Sequence, residues 1–361
     1  MRWVWLIALA ACSFRTNGKA SPDATGDSAM MMTGDASGCW GTGVVKICPG
    51  TAPAGMVTLT GDFDTGTSPD CKPYQVAPGA LPLDACVVTA RAITVSGTFT
   101  VTGPRPLVLL ASDTITVQAG ATLDVSSHRE PARTGPGANA TACNASGDGT
   151  PDFNGCGGGA GGSFGDTGGK GGDGDSGAAG GQAGAKAATV DILRGGCPGG
   201  GGGGTTGGTA GAGGGAVALL AGTSILVSGT INASGAAGDG AAGFSDGGGG
   251  AGSGGMIVLD APTLFGGGTL IANGGGGGEG ASNNPGSPGL EPDPTMPLSA
   301  APGGSGNTNA GNGGDGAAGT TTTGQSGSDG TSNDGGGGGG GGAGYVVMYA
   351  TANTLTGARS P

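Results

Sequence analysis

Ala216 to Ala236 reads AVALLAGTSILVSGTINASGA. A short apolar run comes first, then a small-residue corner, an apolar/polar alternation, a glycine, and a second alternation that fades into small residues. The same grammar occurs at Leu107 to Ser127 (LVLLASDTITVQAGATLDVSS), at Met256 to Gly275 (MIVLDAPTLFGGGTLIANGG) and, shortened, at Tyr345 to Arg359 (YVVMYATANTLTGAR). Aligned on the corner alanines Ala111, Ala221, Ala261 and Ala350, the stretches place Leu107, Val217, Ile257 and Val346 in one column. Leu109, Leu219, Leu259 and Met348 fall in another. Val87 to Val101 (VVTARAITVSGTFTV) belongs to the same set, with Ile93, Val95, Phe99 and Val101 on one face and threonine and serine on the other. A period of two is that of a strand with one buried face. Its recurrence means that each unit buries that face against its neighbours. The expected fold is all-β, a right-handed parallel β-helix-like solenoid with long glycine-rich loops.

Composition points the same way. Glycine supplies 93 of 361 residues, about a quarter against a usual share of roughly 7%. Aromatic residues make up 4%, too few for a thick core, whereas a thin repetitive core of Val, Ile and Leu is feasible. The net charge of −12 and pI near 4.2 leave no basic patch to replace counterions, which argues against nucleic acid as a partner.

Three glycine-rich insertions separate the repeats, at 128–215, 237–255 and 276–344. Each leaves after the last strand of one repeat and re-enters before the apolar run of the next, so a coiled stack gathers all three at one corner. From Gly159 to Gly180 glycine holds every third position. That is the period of extended polyproline-type helices, in which only glycine fits a crowded axis. Two readings stay open: a polyglycine II-type bundle hydrogen-bonded side by side, or disorder, since glycine loses the most freedom on ordering. Asn283 to Pro302 (NNPGSPGLEPDPTMPLSAAP) reads as a loop or projection.

The chain opens MRWVWLIALAAC, a short apolar core that suits a secretory leader and is too short to span a bilayer. Leu9-Ala10-Ala11-Cys12 resembles the lipobox of bacterial lipoproteins. By that resemblance residues 1–12 are a signal peptide and Cys12 becomes the acylated N-terminus, a lipid anchor to the membrane. Residues 13–38 read as a disordered tether and 39–86 as a Cys/Pro-rich cap over the end of the coil, with 87–361 holding the repeats and their insertions. An exported chain uses cysteine for disulfides. The candidates are Cys39, Cys48, Cys71, Cys86, Cys143, Cys156 and Cys197. Near-neighbour pairing gives Cys39–Cys48 and Cys71–Cys86, with two of the other three forming a third bridge.

No cofactor or metal site is expected. There is no C-x-x-C, the single histidine is His128, and Gly168 to Ser176 matches the calcium nonapeptide only in part, since Asp175 stands where a large apolar residue belongs. G-x-G-x-x-G strings arise by chance in so much glycine. A serine or cysteine nucleophile has no recognisable base, and His128, beside Arg129 and Glu130, reads as a solvated turn residue. Outward strand positions are mostly Thr, Ser, Gly and Asn, flat ladders of the kind that bind sugars or order water.

The lipobox, the tether, the CWGTGVVKIC opening and coil repeats set among GGAGG tracts together resemble the glycine-rich lipoproteins of myxobacteria-like Gram-negative bacteria. The likeness to PGRS proteins is one of composition only. The resemblance implies export and a place in the cell envelope, at the outer membrane or cell surface, and carries over no catalytic residue. The expected function is a lipid-anchored structural or adhesive envelope protein that contacts polysaccharide or extracellular matrix. The alternative is a β-helix carbohydrate-active enzyme of the polysaccharide lyase or hydrolase kind, for which no column of carboxylates builds up along the repeats.

Overall fold

The core is a stack of like on like. The computed structural model describes residues 38–72, 84–189 and 191–361. The leader, Cys12, the tether up to residue 37 and residues 73–83 of the Pro-rich N-terminal stretch lie outside the described residues. The strands are β1 (Met56–Asp64), β2 (Cys86–Thr102), β3 (Leu107–Val117), β4 (Thr122–Asp124), β5 (Ala216–Ala221), β6 (Ser224–Val227), β7 (Thr230–Asn232), β8 (Met256–Asp260), β9 (Thr263–Gly266), β10 (Thr269–Ile271), β11 (Tyr345–Tyr349), β12 (Ala352–Leu355) and β13 (Arg359–Ser360). They form three ladders, and every pairing between them is parallel. One runs β2–β3–β5–β8–β11, a second β1–β2–β3–β6–β9–β12, and a third β1–β2–β4–β7–β10–β13. The long β2 turns the corner between ladders, so the sheet closes almost fully into a barrel-like solenoid, compatible with a parallel β-helix. No helix occurs among the described residues.

The register matches the sequence columns. Leu107 pairs with Val217, Val217 with Ile257 and Ile257 with Val346; Leu109, Leu219, Leu259 and Met348 stack beside them. Ile93, Ile115, Ile225 and Leu264 form a second inward stack, almost wholly removed from water. The short apolar runs have a separate cause. The outward face of the first ladder is apolar too, contrary to the expected polar exterior. Val108, Leu110, Ala218, Leu220 and Val258 are buried on that side under Trp40, Val45, Ile47, Phe164 and Leu193. Strands covered on both faces read as continuous apolar runs.

The stretch expected to cap the coil divides in two. β1 adds the first strands of two ladders. The disulfide loop Cys39–Cys48 lies along the flank, reaching from Val108 to Tyr349. A second disulfide joins Cys71 to the start of β2 at Cys86, and a third joins Cys143 to Cys197 within the first insertion. Cys156 is the thiol left over. It is buried, donates to the Asp152 carbonyl at 3.1 Å, and is held protonated chiefly by burial.

The insertions leave after β4, β7 and β10, return at β5, β8 and β11, and interleave as one hydrogen-bonded body. The strand 156–162 shows the rule. Cys156, Gly159 and Gly162 donate to the carbonyls of Ser245, Gly248 and Ala251; Gly157 and Ala160 to Thr150 and Gly147; Gly158 and Gly161 to Gly172 and Gly169. In return it accepts from Gly336, Gly339 and Gly342, from Gly200 and Gly203, and from Gly181. Donors thus point in three directions with a period of three, and six segments drawn from all three insertions surround the strand. Strand 335–342 has the same arrangement and is glycine throughout.

Close approach dictates the composition. A Cβ on Gly339 would sit 2.2 Å from the Gly169 carbonyl oxygen, and one on Gly250 1.9 Å from that of Ala160. Strands at the rim need glycine only where they face a neighbour. In 311–317 (GNGGDGA) the glycines turn inward, while Asn312 is exposed and Asp315 half-buried. Side chains pin the rim: Asp166 of the first insertion accepts from the Thr322 hydroxyl of the third at 2.6 Å and pairs with Lys186 at 3.2 Å. The Thr322 bond, with the Thr167 N–H and Lys186, holds its pKa below the usual 3.8.

Two outcomes follow for stability. Gly200→Ala puts a Cβ 2.1 Å from the Gly147 carbonyl oxygen and should cost about 1–3 kcal/mol or more. Gly201→Ala, one residue on, meets nothing closer than 3.6 Å and should stay within roughly 0.5 kcal/mol of the parent in denaturant melts. Asp166, with its depressed pKa, contributes stability that is present above the unfolded carboxylate range and lost as pH falls through the lower folded value. The melting-temperature gap between the parent and Asp166→Asn should therefore be widest near neutrality and close below pH of about 4.

Candidate functional site

A cavity among the described residues lies on the flank, between the Cys39–Cys48 loop and the outward face of the last coils. It has a volume of about 640 Å³, within the roughly 300–1,000 Å³ usual for small-molecule sites. Trp40, Thr42, Asp260, Met348 and Tyr349 supply its aromatic, apolar and polar walls, with Lys46 also lining it. Its construction follows from one exception in the stack. Along the outward column Leu110 pairs with Leu220, and Leu220 with Asp260, which pairs in turn with Tyr349. A carboxylate stands where the coils below carry leucine.

That carboxylate is 6% exposed and is compensated by the loop above it. It accepts from the Thr42 N–H at 2.6 Å, the Gly43 N–H at 3.1 Å and the Thr42 hydroxyl at 3.1 Å. Burial of a charge is tolerated when charge-assisted hydrogen bonds replace water. The loop is closed by the disulfide and by reciprocal backbone bonds between Trp40 and Ile47. Gly43 admits the Tyr349 ring, which would lie 2.0 Å from a Cβ there. Trp40 is 6% exposed and packs against Gly222; its indole N–H is buried without a hydrogen-bond partner.

A second polar cluster forms where the first insertion leaves β4. Arg133 bridges the Asp124 carboxylate and the Ser126 hydroxyl, and Ser126 Oγ lies 3.0 Å from His128 Nε2. This corrects two sequence expectations: His128 is half-buried rather than solvated, and a serine does meet a base. The wiring nevertheless opposes nucleophilic catalysis. Ser126 is 1% exposed and donates its proton to Asp124 while accepting from Arg133, so His128 is left to donate to the hydroxyl rather than to take its proton. Burial, with Arg133 nearby and Asp124 in opposition, lowers the histidine pKa and keeps the ring neutral near neutrality. The same Asx-type turn recurs one coil on, where Asn232 accepts from the Ser234 N–H and hydroxyl.

The Pro-rich stretch is not a free projection. Glu291 accepts from the Arg129 N–H at 2.7 Å and the Ala237 N–H at 3.3 Å, and burial raises its pKa against those bonds. Arg129 also pairs with Asp239 at 3.2 Å. The acids of the partial calcium motif serve the chain itself. Asp173 accepts from the Gly180 N–H and Lys170, and Asp175 from the Asn333 N–H. Among the described residues no group of three His, Cys, Asp or Glu side chains is placed to hold a metal ion.

Cys12 lies outside the described residues. Cys39, Cys48, Cys71, Cys86, Cys143 and Cys197 form the three disulfides, and Cys156 is brought to Asp152 and Asp246 instead. Neither Trp40, Thr42 and Asp260 nor the Ser126–His128 contact was singled out in the sequence; the available signal was an acid in a leucine column. Compared with known proteins, the chain matches no family model, no curated protein and no solved structure.

Asp260→Ala should leave two backbone N–H groups and the Thr42 hydroxyl without their acceptor. The expected cost is about 1–3 kcal/mol, with faster hydrogen exchange at Thr42 and Gly43 and unchanged exchange in β5. Equal exchange at Thr42 in the two proteins would show that the carboxylate does not hold the loop.

Proposed function

We propose that this is an exported, lipid-anchored protein of the cell envelope with a structural and adhesive role. In this reading a right-handed parallel β-helix carries a polyglycine II-type bundle and presents it to surface glycan or matrix. The interlock of the three insertions carries the reading. Much of the chain is spent on a stiff body whose strands share backbone hydrogen bonds in three directions, and that architecture suits display better than turnover. The period of three with bonds only between segments is the expected signature of polyglycine II geometry. Right-handed winding follows the strong preference of parallel crossover connections. Three disulfides indicate an oxidising compartment, extracellular or periplasmic. No helix of the described residues is long and apolar enough to cross a membrane, and the Leu9–Cys12 lipobox supplies the anchor.

Cell fractionation and protease treatment test both halves. Cys12→Ser should move the protein from the membrane pellet to the soluble fraction, and protease added to intact cells should remove the parent protein from a blot. Retention of Cys12→Ser in the pellet would overturn the anchor. Full protection until lysis would overturn surface display and leave a periplasmic scaffold.

A further inference from the structure

We infer that the flank cavity between the Cys39–Cys48 loop and the outer face of β8 and β11 is a binding site for a neutral saccharide. The inference rests on the glycan-contact part of the reading above and names the place where contact is made. Four features of the cavity converge on that chemistry. Its volume, about 640 Å³, is that of a site for a small molecule rather than a polymer surface. Its walls include two aromatic side chains, Trp40 and Tyr349, and the thioether of Met348. One face of a pyranose ring presents polarised C–H bonds, which suit the electron-rich face of an aromatic ring.

The polar groups are few and complementary. Asp260 spends its oxygens on Thr42 and Gly43 but retains acceptor capacity, because a carboxylate offers about four lone-pair sites. The Trp40 indole N–H is a donor with no partner and almost no exposed surface, set against Gly222, which also lines the cavity. A small shift of the ring on ligand entry brings it to a ligand oxygen, and a buried donor in that state then gains a full hydrogen bond. The Asp260 acceptor and the Trp40 donor, set among aromatic walls with Thr42 and Lys46 beside them, match vicinal hydroxyl groups, each of which both donates and accepts. Among the lining residues the Asp260 carboxylate is matched by the Lys46 ammonium, so the cavity has no surplus of positive charge for a phosphorylated or carboxylated ligand. The net charge of −12 opposes one further, which favours neutral sugars over uronic acids and nucleotides.

The position of the loop supports a built site. Its disulfide, its Trp40–Ile47 bonds and the Asp260 anchor fix the tryptophan from three sides, so a ligand meets a preorganised wall. The last two coils contribute the opposite wall, through Asp260 on β8 and Tyr349 on β11.

The full chain has three tryptophans, so Trp3→Phe with Trp5→Phe leaves Trp40 as the sole indole. That protein, titrated with glucose, galactose, mannose, N-acetylglucosamine and cellobiose, should show a saturable change in emission with at least one sugar, matched by calorimetry. In the calorimeter Trp40→Phe, which keeps an aromatic ring and removes the N–H, and Asp260→Asn should each weaken binding at least tenfold. Tyr349→Ala should do the same, while Phe153→Ala, on an exposed loop away from the cavity, should bind as the parent. Unchanged melting profiles of the variants would separate lost binding from lost folding, and Tyr349→Ala covers the case in which Asp260→Asn loosens the loop. Galacturonate or inorganic phosphate binding as tightly as the best neutral sugar would overturn the assignment. So would binding that survives Trp40→Phe, Asp260→Asn and Tyr349→Ala together; glycan contact itself would then stand, at another surface. Binding of no sugar at all would overturn the site and the glycan part of the functional reading, and would leave export and lipid anchoring untouched.

Discussion

Backbone amides bonding between glycine strands in three directions set the terms for this molecule. Such strands approach so closely that a Cβ would fall inside the neighbouring carbonyl at most inward positions. The lattice is thus available only to glycine, with alanine where space allows. Each hydrogen bond contributes little on its own, and glycine costs more than any other residue to order. Ordering is achieved by dense reciprocal bonding, six neighbours around a central strand, so no segment of the array is stable by itself.

The β-coils solve the complementary problem of where the array is attached. Strands β5, β8 and β11 begin where insertions end, so the coil stack sets the spacing and order in which the glycine segments enter. In turn the array and the flank loop cover the outward side of the first ladder: Phe164 from the first insertion and Trp40 from the loop bury Leu220 and its neighbours. A solenoid with two apolar faces on one ladder would otherwise expose a large patch to water. Asp260 is the place where that cover is fastened by polar bonds instead of apolar contact, and the same exchange opens the cavity beside it.

Much of the coil was legible in the sequence because its signal is one-dimensional. The columns through Leu107 and Leu109 needed only an alignment on four alanines, and the structure pairs them in that register. The glycine period showed that strands come close, but nothing in the period says which segment meets which. The pairing of Gly159 with Gly248 and Gly339 joins residues from three insertions and exists only in three dimensions. His128 was misread for a related reason. Arg129 and Glu130 beside it suggest a solvated turn, whereas the coil brings Ser126 and Asp124 against it from two and four residues back. The flank site was hidden by a change of rule: Asp260 reads as the polar end of a strand until the loop at Thr42, 218 residues earlier in the chain, is known to lie over it.

The threefold period of the array also bears on how such a chain is able to change length. A strand of 156–162 type returns to the same facing every three residues. Gain or loss of a whole triplet slides the segment by one repeat and keeps every glycine turned toward its old kind of neighbour. Gain or loss of one or two residues rotates the whole segment, so that rim side chains such as Asn312 or Lys170 would be driven into the interior. The genetic unit of variation tolerated by the array is therefore three codons, nine bases at a time, and related chains should differ in their glycine tracts by multiples of that unit.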